Sequence, residues 1–239
     1  MNKMKKAPFE IVRKEIDDSH YYWIDGEFVP AVTAILDQSG PVEYGLRNFW
    51  KQNSAIEADQ KMTEAGEFGS MIHDALERLL NGEELDLVNE FPSVKAKKHI
   101  MAFHDWFHSF NPDIDSIQTE FTVGSKKYKY AGTLDLACTK DGELWIIDFK
   151  TSAGIYTNYH RQLAAYKNAY EEMFEVKIAH TAILRTGTQH KAGYEFKEVE
   201  KPFESFLNIY NTYLDDNGGK LPDPPEIDVY PEKLRIIEK

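Results

Sequence analysis

Leu144-Trp145-Ile146-Ile147-Asp148-Phe149-Lys150 (LWIIDFK) is the run whose reading decides the fold. It is short, apolar and preceded by Asp141-Gly142, a dipeptide suited to a hairpin turn, which together predict a buried strand paired with the segment before it. Side chains alternate along a strand, so Asp148 and Lys150 share one face while Trp145, Ile147 and Phe149 take the other. The partner strand is expected over Lys127 to Thr139, with Asp135 beside Ala131, Thr133 and Ala137, and with Tyr128, Tyr130, Leu134 and Leu136 on the opposite face. In that register both carboxylates converge, and the Lys150 ammonium stands about 7 Å further along the strand. Such a face is a poor core and a good seat for a divalent metal, although Asp148 and Lys150 taken alone also read as a salt bridge at a strand end.

Hard cations such as Mg²⁺ take oxygen ligands, usually one or two carboxylates plus water and substrate phosphate. A cation so held activates water and neutralises charge on a phosphodiester. A lysine beside it orients the attacking water or stabilises the transition state. Glu120, on the preceding strand, is a further candidate ligand, with a surface strand residue as the alternative reading.

Two helices add to this centre. Tyr159 to Glu172 places Gln162 and Tyr166 one turn apart on one face, where they either serve a phosphate or the lysine or simply border an amphipathic helix. Glu67 to Leu80 carries a wide apolar stripe with His73 at its border. A neutral imidazole there is either a metal ligand, its tautomer fixed by Glu77 one turn on, or a packed or solvated histidine. Gly69, one turn earlier, leaves room for close approach.

The rest of the chain reads as a small hairpin around Asp25-Gly26, helices over Val42 to Ala65 and from Pro92-Ser93 to Phe110, and strands near Asp115–Val123, Ile178–Arg185 and Tyr194–Val199. A last helix uses Phe203, Phe206, Leu207, Tyr210 and Leu214. This alternation predicts an α/β three-layer sandwich with a mixed central β-sheet flanked by helices, and a helical N-terminal region. Residues 1–112 would form that mainly helical part and supply the His73 helix, 113–215 the core, and 216–239 a tail or arm. Helical spacing places Phe49, Trp50 and Trp106 in the core, and leaves Tyr156, after Lys150, as the aromatic best placed to stack on a base.

Taken in order, Gly69-x-x-x-His73-x-x-x-Glu77, Gly132-Thr133-Leu134-Asp135, Asp148-Phe149-Lys150-Thr151 and Gln162-Leu163-x-x-Tyr166 resemble the RecB-type branch of the PD-(D/E)XK nuclease superfamily. Val29-Pro30-Ala31-Val32-Thr33-Ala34-Ile35-Leu36, with Trp50 downstream, is similar to the opening region of phage and mitochondrial-genome-maintenance-type exonucleases of that branch. The resemblance covers most of the chain and implies a restriction-endonuclease-like fold. It implies that His73, Asp135 and Asp148 bind Mg²⁺ or Mn²⁺ with the Phe149 carbonyl as a further ligand, and that Lys150 is catalytic beside the two aspartates. It also implies that Gln162 and Tyr166 lie near substrate, with Glu77 and Thr151 supporting the ligands. Leu134-Asp135 replaces the name-giving Pro-Asp pair, as is usual in this branch. Iron–sulfur members carry four cysteines; this chain has only Cys138, so no iron–sulfur cluster is expected.

Composition sets the remaining bounds. The chain has 239 residues, 42% hydrophobic, enough for one substantial core. No apolar run approaches the ~20 residues of a membrane span, the start Met1-Asn2-Lys3-Met4-Lys5-Lys6 lacks a signal-peptide core, and one cysteine excludes an internal disulfide, so a cytoplasmic protein with no membrane contact is expected. A net charge of −12 runs against the basic footprint of nucleic-acid binders. Binding depends on local patches, however, and Lys126, Lys127 and Lys129 cluster before Asp135 as candidate DNA contacts. The expected activity is a metal-dependent DNA exonuclease acting on ends or single strands in recombination, repair or phage replication, with or without a partner protein of that machinery. The alternatives are a catalytically silent nuclease-fold module that binds nucleic acid or a partner, and a metal-dependent phosphatase.

Overall fold

The computed structural model describes residues 7–16 and 19–225. The central sheet has five strands in the order β4 (Asp113–Ser125), β5 (Tyr130–Lys140), β6 (Glu143–Lys150), β7 (His180–Thr186) and β8 (Tyr194–Glu198). Neighbours are antiparallel except β6 and β7, which run parallel because α5 (Thr157–Phe174) carries the chain across. The sheet is therefore mixed and open, with β4 and β8 as edges.

Helices cover both faces. Val32, Ile35, Leu163, Tyr166, Tyr170, Phe206 and Tyr210, from α1 (Val32–Ser39), α5 and α6 (Glu204–Asp216), pack on Val123, Leu134 and Ile146. On the other face Ile72 and Leu76 of α3 (Ala55–Leu80), with Ile100, Phe103, Trp106 and Phe110 of α4 (Val94–Phe110), pack on Leu136, Ile147 and Phe149. Burying each such side chain contributes roughly 1.5–3 kcal/mol, so alternation along β6 alone commits it to two helical layers. This is the expected three-layer α/β sandwich.

The β5–β6 turn forms as the dipeptide predicts, with φ of +53° at Asp141 and +83° at Gly142. Elsewhere the structure corrects several expectations. β5 starts at Tyr130, because the chain reverses over residues 126–129 with Lys129 at φ +57°. The helix that carries His73 starts at Ala55 rather than Glu67, under a capping box of Ser54 and Glu57. Among its described residues the N-terminal region holds four helices, α2 (Tyr44–Gln52) among them, and also a three-stranded sheet of β1 (Ile11–Ile16), β2 (Ser19–Ile24) and β3 (Glu27–Val29), of which only the β2–β3 hairpin was expected. Trp106 is core at 2% exposure, whereas Trp50 is 45% exposed on an α2 that has no fully buried residue. Residues 226–239 of the expected tail lie outside the described residues. Among the described residues no helix is long and apolar enough to cross a membrane.

Candidate active site

The β5–β6 ladder runs from Lys140↔Glu143 up to Leu136↔Ile147. Asp135 and Asp148 are the next residues on their strands, so they stand where the two strands begin to separate. Asp135 bridges the gap: its Oδ2 accepts the Phe149 N–H at 2.5 Å, and its Oδ1 faces His73 Nδ1 at 3.3 Å. Asp148 is buried, with Oδ2 2.7 Å from Lys150 Nζ. The two residues stand two positions apart on β6, and the long Lys150 side chain brings its ammonium to the carboxylate.

Regular alternation around Asp135 does not hold. Leu134 packs in the α1/α5/α6 layer and Leu136, two residues on, in the α3/α4 layer, with Ala137 back in the first. The cause lies on β4, where Glu120 has φ +47°, a left-handed conformation that turns the strand between the pairs Thr119↔Leu136 and Phe121↔Leu134. β5 follows that turn. Glu120 and Asp135 sit together at the bend, and both carboxylates reach the His73 side.

Electrostatics reflect this crowding. Burial, then the charge of Asp135, pushes Asp148 up to about 6, against the pull of Lys150. Burial works against ionising Asp135 as well, but His73, the charge of Lys150 and the Phe149 N–H together outweigh it and hold that carboxyl below its ordinary value. Burial lowers His73 and Lys150, yet Asp135 at the one and Asp148 at the other raise both on balance. One buried carboxylate, Asp148, and one half-buried, Asp135, thus depend on nearby positive charge.

His73, Glu120 and Asp135 each offer a ligand atom within 4.8 Å of the others. One imidazole nitrogen and carboxylate oxygens are a donor set that suits a divalent cation. The structure groups Glu120 with His73 and Asp135, and turns Asp148 toward Lys150. The acid contacting the imidazole is Asp135, while the charge of Glu77 acts on Glu120.

From the other layer, Gln162 Nε2 donates to the Tyr166 hydroxyl at 3.1 Å, both buried. Burial and the charge of Asp148 hold that phenol well above its ordinary range. A cleft of about 300 Å³ opens beside the centre, lined by Gly66, His73, Lys95, Lys150, Thr151 and Tyr159 among others. A β-carbon on Gly69 would meet Thr151 Oγ1 at an ordinary 3.5 Å, so that glycine is not sterically required. Tyr156 caps the start of α5, its ring 5.4 Å from that of Tyr159.

The three lysines stand elsewhere. Lys126 pairs with Asp25 at 2.5 Å, Lys129 with Glu27 at 2.7 Å, and Lys127 lies over the Tyr128 ring. Lys129 is six residues from Asp135, roughly 20 Å along a strand.

Sequence reasoning missed four residues at this centre. Arg13 of β1 donates to Glu120 Oε2 at 3.1 Å, and the Tyr22 hydroxyl of β2 bonds Thr133 Oγ1 at 2.9 Å. The Tyr159 ring lies 4.8 Å from Lys150 Nζ, and the charge of Lys150 reaches Asp37 on α1. Tyr159, one turn before Gln162 and Leu163, had a helical signal; the others are joined to the site only by the fold.

Mitochondrial genome maintenance exonuclease 1 of Mus musculus is 26% identical over 180 residues, 71% of this chain and 47% of that protein, so the chain spans about half the length of this relative. Among solved structures, LHK-Exo in complex with dAMP is similar with a TM-score of 0.43 and 9% identity, over 80% of this chain and 88% of that one. The alkaline exonuclease LHK-Exo from Laribacter hongkongensis gives 0.41 and 8%, over 79% and 87%. The family model for the PD-(D/E)XK nuclease superfamily matches residues 42–233. That stretch holds the whole central sheet and the helix of His73, and this chain belongs to the PD-(D/E)XK nuclease superfamily.

Proposed function

We propose that this chain is a Mg²⁺- or Mn²⁺-dependent DNA exonuclease acting on ends or single strands during DNA processing such as recombination, repair or phage replication. The observation that carries the reading is the meeting of His73, Glu120 and Asp135 beside the pair of buried Asp148 and half-buried Lys150, in a chain of a nuclease superfamily. His73, Asp135 and Asp148 would hold the cation, with the Phe149 carbonyl and Glu120 as further ligands. When bound, the cation supplies charge neutralisation at the phosphodiester and a more acidic water.

Lys150 orients the attacking water oxygen in line with the leaving 3′ oxygen. The new P–O bond forms as the bond to that oxygen breaks and a proton from the water ends on it, which leaves a 3′-hydroxyl and a 5′-phosphate. Gln162 and Tyr166 hold the substrate side of the site, and Thr151 and Glu77 keep the ligands in place. Tyr156 stacks on an unpaired base, worth about 1–3 kcal/mol. Lys126, Lys127 and Lys129 serve a more distant stretch of backbone, where contact adds salt-sensitive affinity.

The test is digestion of end-labelled single-stranded, duplex and circular DNA with Mg²⁺, Mn²⁺ or chelator. Linear substrates should be degraded only with metal, and circles should survive. Asp148→Asn and Lys150→Ala should each lower the rate by about 10²–10⁴ while the circular dichroism spectrum is kept. DNA binding that persists in chelator, with no cleavage under any metal, would instead make the chain a silent binding module.

A further inference from the structure

We propose that Arg13, on the N-terminal sheet, is a positioning residue that holds the Glu120 carboxylate toward His73 and Asp135. The inference rests on the proposed metal site and adds an element to it that lies outside the central sheet.

Arg13 makes three contacts. Nη1 donates to Glu120 Oε2 at 3.1 Å and to Thr133 Oγ1 at 3.3 Å, and Nη2 donates to His20 Nε2 at 2.9 Å. The planar guanidinium therefore spans from β2 to both strands of the bend, and Tyr22 braces the same Thr133 hydroxyl. The sheet that carries Arg13 is itself fixed to the core. Ala131 N–H donates to the Pro30 carbonyl at 3.1 Å, and the Ile11 and Ile24 side chains crowd Gly124 so closely that a β-carbon there would lie 3.0 Å from each.

Glu120 needs such a partner. Its left-handed backbone aims the side chain at the site, where the charges of Asp135 and Glu77 repel it. An unrestrained glutamate in that field turns to water. A guanidinium fixed by two further hydrogen bonds engages one carboxylate oxygen and sets the plane of the group. Partners that orient a metal-binding carboxylate typically change metal affinity or activity 10–100-fold when removed. With both side chains 26% exposed, the ion pair contributes little to stability, so loss of Arg13 leaves the fold standing.

Calorimetric Mn²⁺ titration of the full chain and of Arg13→Ala, Arg13→Lys, Glu120→Gln and the Arg13→Ala/Glu120→Gln double variant tests this. Arg13→Ala should weaken Mn²⁺ binding about tenfold, with Arg13→Lys between it and the parent. The double variant should bind no more weakly than Glu120→Gln alone, because Arg13 acts through Glu120. Additive losses would show that Arg13 acts elsewhere, and tighter binding in Arg13→Ala would make it a competitor for Glu120; either overturns the proposal. Unchanged affinity in Glu120→Gln would remove the ligand role of Glu120 itself, a separate failure that belongs to the metal site.

Discussion

The Tyr166 ring stands where a β-carbon on Gly132 would have to go: that carbon would lie 2.6 Å from Cε1 and 3.2 Å from the phenol oxygen. Gly132 is thus a spacer between β5 and α5, and the close approach brings the Tyr166 hydroxyl and its partner Gln162 up to the strand of Asp135. The ring is 2% exposed and packs within the layer of α1, α5 and α6. Gly132→Ala should therefore cost about 1–3 kcal/mol by overpacking, and lower the melting temperature by about 2–4 °C for each kcal/mol. Guanidinium titration of the variant checks this; a midpoint equal to the parent's would mean that the ring has room to move.

What could be read in advance follows from range. The β5–β6 hairpin was legible because Asp141-Gly142 supplies two positive φ values and the apolar run of Leu144–Lys150 alternates cleanly. The His73 face of α3 was legible from helical spacing, although its start was not, since residues 55–66 mix polar with small and apolar side chains and are mostly exposed. The change of face at Asp135 was hidden because strand alternation presumes a regular backbone, and the bend originates at Glu120 on another strand. Arg13 was hidden for a related reason: β1 half-buries its alternate residues, and its contact with Glu120 spans 107 positions of sequence. Trp50 shows a third limit, because spacing marks an apolar helix face without saying whether anything covers it.

His99 makes the stability of the fold pH-dependent. It is 4% exposed, its Nδ1 is 2.8 Å from Thr186 Oγ1, and its ring packs against Gly187. Burial, then the charge of Lys95, lowers its pKa to about 4 from an ordinary 6.5. Below 6.5 the unfolded chain takes a proton that the folded chain refuses, so stability is lost as pH falls from 6.5 toward 4. The full loss is on the order of 3 kcal/mol. Urea midpoints from pH 7.5 to 4.5 should fall less steeply for His99→Gln than for the parent; parallel slopes would show that His99 charges freely in the folded state.

Tyr159 tests how Lys150 is held. Its ring lies 4.8 Å from the ammonium, an attraction worth about 0.5–2 kcal/mol, and that attraction needs the ring and not the hydroxyl. If cleavage depends on the position of the ammonium, Tyr159→Phe should keep most of the parent kcat and Tyr159→Ala should lose about 2–30-fold. Equal loss in both variants would assign the effect to the phenol group instead.

The first turns of α3 offer a measure of local stability. Ser54 Oγ accepts the Glu57 N–H at 3.3 Å while Glu57 Oε2 accepts the Ser54 N–H at 3.0 Å, and in these turns Ile56 is 75% and Met62 46% exposed. Little packing backs these turns, so removing the cap should loosen them without unfolding the core. Ser54→Ala costs about 1 kcal/mol at such a position, which corresponds to about fivefold faster amide exchange. That acceleration should appear over residues 57–61 and fade before Ile72, which is fully buried against the sheet layer. Because Ala65 and Gly66 line the cleft, the point at which protection returns also shows how far the wall of the site depends on this cap. Acceleration that spreads through α4 and the central strands would mean that the exposed half of α3 is coupled to the global fold.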